Sequence, residues 1–197
     1  MKKGILIIIL LVIWVFGISQ STIENMENFE QKDWTALNEN VMQLIGTEWM
    51  LIAVGSPETD FNMMTASWGG MGWLWEKPVA FTFVRPQRYT HEFTEREEFF
   101  TITFYNESQK EILAKMGSVS GRDFDKKHYP GLTPIKTPNG SVAFAEARIV
   151  IECKKLYSTI IKEEKFIDSS VVQSKYPQKD FHTMYVSEIV NVWIKKE

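Results

Sequence analysis

The sequence predicts a mainly β protein, a β-barrel with α-helical insertions, and three observations lead there. Short apolar or alternating runs recur from Trp49 to Ile194, bounded by Gly, Pro or polar turn residues. Only two segments between them carry helix signals, giving the order β-β-β-α-β-α-β-β-β. Strands therefore do not alternate strictly with helices, which speaks against a doubly wound sheet and for a barrel.

The chain has 197 residues, enough for one ordinary domain. Lys2 and Lys3 precede an unbroken apolar run from Gly4 to Ile18, and polar Ser19-Gln20-Ser21-Thr22 follows. A short basic region, an apolar stretch below the ~20 residues of a full span, and small residues at Gly17 and Ser19 describe residues 1–19 as a secretory signal peptide or an uncleaved membrane anchor. No Cys follows the run, which excludes a lipid anchor on Cys. In either case the two lysines stay inside, so the remainder is expected to be exported, periplasmic or extracytoplasmic, with a membrane tether through residues 4–18 if the segment is kept. Residues 20–47 form a polar lead-in, a tether or short helical entry with scattered apolar positions at Phe29, Trp34 and Leu37, and residues 48–197 hold the domain.

Within the domain, Trp49–Val54 is an apolar run closed by Gly55-Ser56-Pro57. Phe61–Trp68 ends at Gly69-Gly70, Val79–Val84 makes a third strand, and Phe99–Phe104 alternates as a fourth. Val142–Tyr157 and Thr159–Ile167 are long extended stretches able to pair as a hairpin, and Met184–Ile194 closes the series. Pro86 suits the first turn of a helix through Arg88, Glu92 and Phe93, since its missing N–H would have no partner there. Ser108 with Glu111 three residues on reads as a capping box for a second helix that turns Ile112, Leu113 and Met116 inward.

Formal net charge is −3, or −5 without Lys2 and Lys3, so nucleic acid is not an expected partner. The single cysteine, Cys153, permits no internal disulfide and sits in an apolar run that buries it as a small strand residue. His91, His128 and His182 are far apart without metal-ligand spacing, and read as surface or loop residues. No Gly-x-Ser-x-Gly elbow and no glycine-rich phosphate loop of the nucleotide-hydrolase or Rossmann kind is present. Aromatic residues reach 13%, including seven Trp, which serves packing and also offers surface to a flat ring.

Three segments carry candidate chemistry. Asn62-Met63-Met64-Thr65-Ala66-Ser67-Trp68-Gly69-Gly70 combines hydroxyls, a Trp and a glycine pair, so backbone can approach a planar ligand while hydroxyls reach its polar edge. Arg85-Pro86-Gln87-Arg88-Tyr89-Thr90 puts two guanidinium groups where a strand feeds a helix N-terminus, a place suited to phosphate oxygens; a solvated basic turn paired with Glu92 or Glu95 explains the same residues. Gly117–Asp123 is small and polar, able to cover a cofactor or to form a mobile loop.

The series Asn-Met-Met-Thr-Ala-Ser-Trp at 62–68, Arg-Pro-Gln-Arg-Tyr-Thr at 85–90 and Ser-Gly-Arg-Asp at 120–123 resembles the flavin reductase-like, flavoredoxin-type family over roughly Glu48 to Lys195. The resemblance implies an FMN-binding split β-barrel, usually a homodimer, in a family some of whose members pass electrons between a nicotinamide cofactor and flavin. It further implies that Asn62, Met64, Thr65, Ala66, Ser67 and Trp68 belong to the cofactor site, with Thr65–Trp68 along the isoalloxazine ring. Arg85, Arg88 and Thr90 would hold the FMN phosphate, with Tyr89 alongside and Ser120 and Gly121 approaching from the third segment. No catalytic side chain is assigned, because the cofactor carries the redox chemistry. Three functions stay open: an FMN-dependent oxidoreductase whose electron donor is NAD(P)H or a protein carrier, a non-enzymatic exported FMN electron-transfer protein, and a barrel that has lost its flavin. The presence of Arg85, Arg88 and Thr90 counts against the last.

Overall fold

The alternating runs pair into antiparallel ladders. A computed structural model describes residues 24–197; the expected signal or anchor at residues 1–19 lies outside the described residues. The strands are β1 (Glu24–Asn25), β2 (Phe29–Lys32), β3 (Met50–Gly55), β4 (Phe61–Ala66), β5 (Gly69–Leu74), β6 (Lys77–Val84), β7 (Phe99–Phe104), β8 (Pro134–Lys136), β9 (Val142–Phe144), β10 (Ile149–Ile160) and β11 (Thr183–Lys195). The helices are α1 (Val41–Gln43, running into a π-helical turn at Leu44–Glu48), α2 (Tyr89–Arg96), α3 (Lys110–Ser118) and α4 (Ser169–Lys175).

The main sheet runs in the order β4-β3-β7-β10-β11-β6-β5, with β2 on β11 beyond the end of β6. Its two edges, β4 and β5, are joined by only Ser67 and Trp68. A sheet whose opposite edges are two residues apart along the chain must curl round on itself, which makes a barrel with an unlaced seam between β4 and β5. Glycine at the start of β5 permits the approach, because a Cβ at Gly69 would lie 2.7 Å from the Phe81 carbonyl oxygen and 2.9 Å from Met50 Cε.

Alternation sorts the strand residues to two faces. Met50, Ile52, Val54, Ile102, Phe104, Ile151 and Tyr185 fill the interior. Leu51, Ala53, Met63, Val150 and Trp193 face outward, under a second layer that holds Leu113 and Met116 of α3 and Ile135 and Phe144 of the small β1-β8-β9 sheet. Both faces of β3 are thus buried, which is why it reads as a continuous apolar run rather than an alternating one. Cys153 lies inside the barrel, and burial pushes its thiol far up from the ordinary range.

Several boundaries differ from the sequence expectation. The extended stretch after Val142 breaks at Ala145–Arg148, and β10 ends at Ile160 instead of pairing with a strand through Ile167. Its hairpin partner is β11, across a long connection that contains α4. The lead-in is part of the fold: β2 pairs with β11, Phe29 is buried, and Leu44 and Ile45 pack into the barrel. Helix α2 starts at Tyr89, not at Pro86, and its N-cap is Arg88. Ser108 lies in a short 3-10 turn before α3 with no side-chain cap, so the capping box does not form, although Leu113 and Met116 are buried as expected. Glycine-rich β5 had no strand signature of its own. It forms because β6 offers it an edge, through a tight turn in which Trp75 and Glu76 adopt φ of 53° and 60°.

Such a turn ordinarily takes Asn-Gly, since a left-handed conformation costs an L-residue roughly 1–2 kcal/mol. Replacing Glu76 with Gly should stabilise the protein by about 1 kcal/mol, read as a higher urea midpoint at unchanged slope.

Candidate functional site

Where the β4–β5 seam leaves backbone unlaced, two cavities adjoin. The larger, about 260 Å³, is lined by Met64, Thr65, Ala66, Ser67, Trp68, Phe83, Arg85, Arg88 and His182. The smaller, about 130 Å³, is lined by Asn62, Gln87, Arg88, Tyr89, Thr90, Ser118, Val119, Ser120, Gly121 and Lys126. Arg88 belongs to both and marks their junction. Each alone is smaller than the about 300–1,000 Å³ of an ordinary ligand site, so the elongated pair is the site to consider.

The small cavity gathers positive charge and helix N-terminal N–H groups. Its floor is the first turn of α2, where the N–H groups of Tyr89 and Thr90 have no intrahelical acceptor. Arg88 reaches across to α3, donating to the Gly117 carbonyl at 2.7 Å. Lys126, only 2% exposed, donates to the carbonyls of Met63 at 3.0 Å and Met116 at 2.8 Å. Among the described residues neither cation has a carboxylate partner. Burial and the neighbouring Arg88 charge push Lys126 down to about 8, and burial lowers Arg88 as well. The polar walls are held in place: Asn62 donates to Thr90 Oγ1 at 2.9 Å, and a Cβ on Gly121 would overlap the Asn62 amide oxygen. Arg122 carries the Ser120–Gly121 loop onto α2 through an ion pair with Glu92 and a bond to the Gln87 carbonyl at 3.2 Å.

The large cavity is flatter and more aromatic. Thr65 is fixed by donation to the Leu113 carbonyl at 2.5 Å, and Gly117 of α3 lies close enough that a Cβ there would be 3.3 Å from Thr65 Cβ. Trp68 packs on His182 with ring centroids 5.1 Å apart, and Tyr176 O–H meets His182 Nδ1 at 2.9 Å. Burial, with the Arg85 charge adding to it, pushes His182 down to about 4, so its ring is neutral at ordinary pH.

All twelve residues singled out from the sequence line one cavity or the other. Asn62, Tyr89, Thr90, Ser120 and Gly121 surround the small one, Met64–Trp68 and Arg85 the large one, and Arg88 both. The two arginines, expected to act together, are separated: Arg85 turns to the large cavity and is paired with Asp180. Lys126 and His182 line the two cavities and were not singled out by sequence reasoning. Lys126 is one of several lysines around a polar loop, and nothing local marks it as the buried one. His182 lies in a loop, one of the two placements expected of it, but is only 7% exposed there; its sequence cue is the aromatic neighbours Tyr176 and Phe181.

Comparison with known proteins follows the same lines. The family described as "Flavin reductase like domain" matches residues 42–197. No curated protein matches the chain by sequence. Among solved structures it is similar to an FMN-binding protein from Thermus thermophilus with bound p-hydroxybenzaldehyde, at 23% identity and a TM-score of 0.58, covering 75% of this chain and 71% of that one. A flavoredoxin from Methanosarcina acetivorans gives 16% and 0.59, covering 76% and 69%. The styrene monooxygenase flavin reductase of Pseudomonas putida S12 gives 17% and 0.56, covering 78% and 83%. At these identities the likeness is one of fold, and it places the barrel among split-barrel flavin reductase-like structures.

With its pKa held near 4, the His182 ring should show no protonation in an NMR titration from pH 8 down to 5. A midpoint above 6 would mean the ring is not buried against Trp68 and Arg85 as described.

Proposed function

The chain belongs to the flavin reductase-like domain family, and from that premise we propose that it is an FMN-binding oxidoreductase passing hydride or electrons through the bound flavin. The observation that carries the reading is the pair of partly or fully buried cations, Arg88 and Lys126, left without a carboxylate beside the open first turn of α2. Buried charge without a partner is costly, and a phosphate dianion supplies the missing partner. The chemistry of the walls fits FMN at both ends: cations, hydroxyls and free N–H groups around the small cavity, and a Thr-Ala-Ser-Trp edge of suitable flatness along the large one.

A bound flavin supplies the redox chemistry. The protein's part is positional and electrostatic. Arg88 and Lys126 fix the phosphate end, Asn62 and Thr90 stiffen the cradle, and the residues from Thr65 to Trp68 offer hydroxyl and seam backbone groups to a ring edge. Phe83, Trp68 and His182 limit water at the ring end.

The same reading extends to the assembly and its place in the cell. Exposed Trp73 on the edge strand β5 and exposed Trp75 in the turn that follows it, in contact with Trp34 and Tyr157 respectively, support a homodimer. Lys2, Lys3 and the apolar run 4–18 support export with a possible tether. In that location NAD(P)H is scarce, which favours a membrane or protein carrier as electron donor.

Titration of the full chain should show FMN binding through flavin absorbance and fluorescence. Riboflavin should bind on the order of 10²–10⁴-fold more weakly, because two charge-assisted hydrogen bonds of about 1.5–3 kcal/mol each are lost. Equal affinity for FMN and riboflavin would sink the phosphate assignment, and no flavin binding would sink the function. Lys126→Met should cost on the order of 10- to 100-fold in FMN affinity.

Protonated Lys126 is the form that attracts phosphate, and bound phosphate raises its pKa above that of the free protein. FMN affinity should therefore fall as pH rises through about 8. The Lys126→Met variant should lose that part of the pH dependence.

A further inference from the structure

Arg85 follows the last residue of β6 and precedes α2 by one short turn, yet its guanidinium points away from the small cavity. It pairs with the Asp180 carboxylate and donates to the Lys175 carbonyl at 2.9 Å. It also lies 6.0 Å from the Trp68 ring centroid and 5.2 Å from that of Tyr176. Gln87 Nε2 joins the same Asp180 oxygen at 2.5 Å. Every one of these contacts except the Trp68 one goes to the connection between β10 and β11, from Ile161 to His182.

That connection has an aromatic knot of its own. Tyr176 packs on Phe181 at 4.8 Å and on Phe166 at 5.8 Å, and its hydroxyl meets His182 Nδ1 at 2.9 Å. Ile161 N–H donates to the His182 carbonyl at 2.9 Å, which closes the base of the loop. The knot is fastened to the rest of the protein through Arg85 and Gln87 on one side and the Trp68–His182 stack on the other.

We propose that Arg85 and Asp180 are positioning residues whose ion pair latches the Ile161–His182 connection beside the large cavity, so that His182, bonded from behind by Tyr176 and packed on Trp68, stays in the cavity wall that meets the second reactant. This rests on the flavin reading for what occupies the cavity, but the latch itself is a property of the protein alone. The charge ledger separates it from a phosphate role: Arg85 is neutralised by a carboxylate, whereas Arg88 and Lys126 are not. The 2.9 Å hydrogen bond between the Tyr176 hydroxyl and His182 Nδ1 fixes the orientation of the imidazole ring in that wall.

Two measurements on the full chain test this. Without flavin, hydrogen exchange of residues 161–182 should rise by about tenfold or more in Asp180→Asn and in Arg85→Met, because a hydrogen bond to a charged group is lost from a local element. Asp180→Glu should restore most of the protection. With FMN bound, iodide quenching of flavin fluorescence should increase in Asp180→Asn while FMN affinity stays within about twofold of wild type. The latch is wrong if exchange of 161–182 is unchanged in both variants, or if Arg85→Met lowers FMN affinity as much as Lys126→Met does. If the wild type binds no FMN, the flavin reading and the cavity-wall role fail together, and the exchange result still decides whether the ion pair holds the connection.

Discussion

The two-residue link between β4 and β5 is the constraint on which the rest depends. Ser67 and Trp68 tie together the opposite edges of a seven-strand path, so the sheet must close at that point whatever its twist elsewhere. Closure without a ladder leaves a seam where strand backbone has no strand partner, and unpaired backbone groups are what a ligand with a polar edge can use. The candidate site is therefore at the split, where β4 and β5 meet without a ladder between them. Helix α3 packs along β4 there, with Gly117 and Leu113 against Thr65, and sets the depth of the cleft.

Charge is then divided along the cleft by the turn from β6 into α2. Arg85 and Arg88 are three residues apart and share one turn, yet their environments are opposite. Arg85 leaves the strand in extended geometry and meets Asp180, becoming part of a neutral wall. Arg88 caps α2 and reaches the carbonyl of Gly117, where Lys126 adds a second positive charge and no carboxylate answers. One end of the cleft is thus electropositive and the other aromatic and neutral. A molecule with a phosphate at one end and a flat ring at the other matches both. Retaining two such cations costs stability in the empty protein, a cost that makes physical sense where function needs the charge.

Much of this was legible from local pattern. Apolar runs and turn clusters located β3, β4, β6, β7 and β11, because a strand with a buried face must repeat its chemistry along the chain. Glycine-rich β5 and the lead-in strand β2 were not, since each is a strand only by virtue of the edge it pairs with. The same holds for the β10–β11 hairpin, whose partner lies beyond a long insertion that no short-range signal bridges.

The site divides in the same way. Residue types and order within three short segments marked out twelve positions, and the fold gathers all twelve around two adjoining cavities. What the segments could not say is which charges would find partners. Arg85 with Asp180, Lys126 with two carbonyls, and His182 with Tyr176 and Trp68 are meetings of residues from different elements. Burial and partnership set the charge and pKa of a side chain, and both are properties of three-dimensional neighbours. The sequence alone was enough for the barrel class and for the three segments that line the cleft; only the tertiary structure decided which cations there lack a carboxylate partner and which is paired with one.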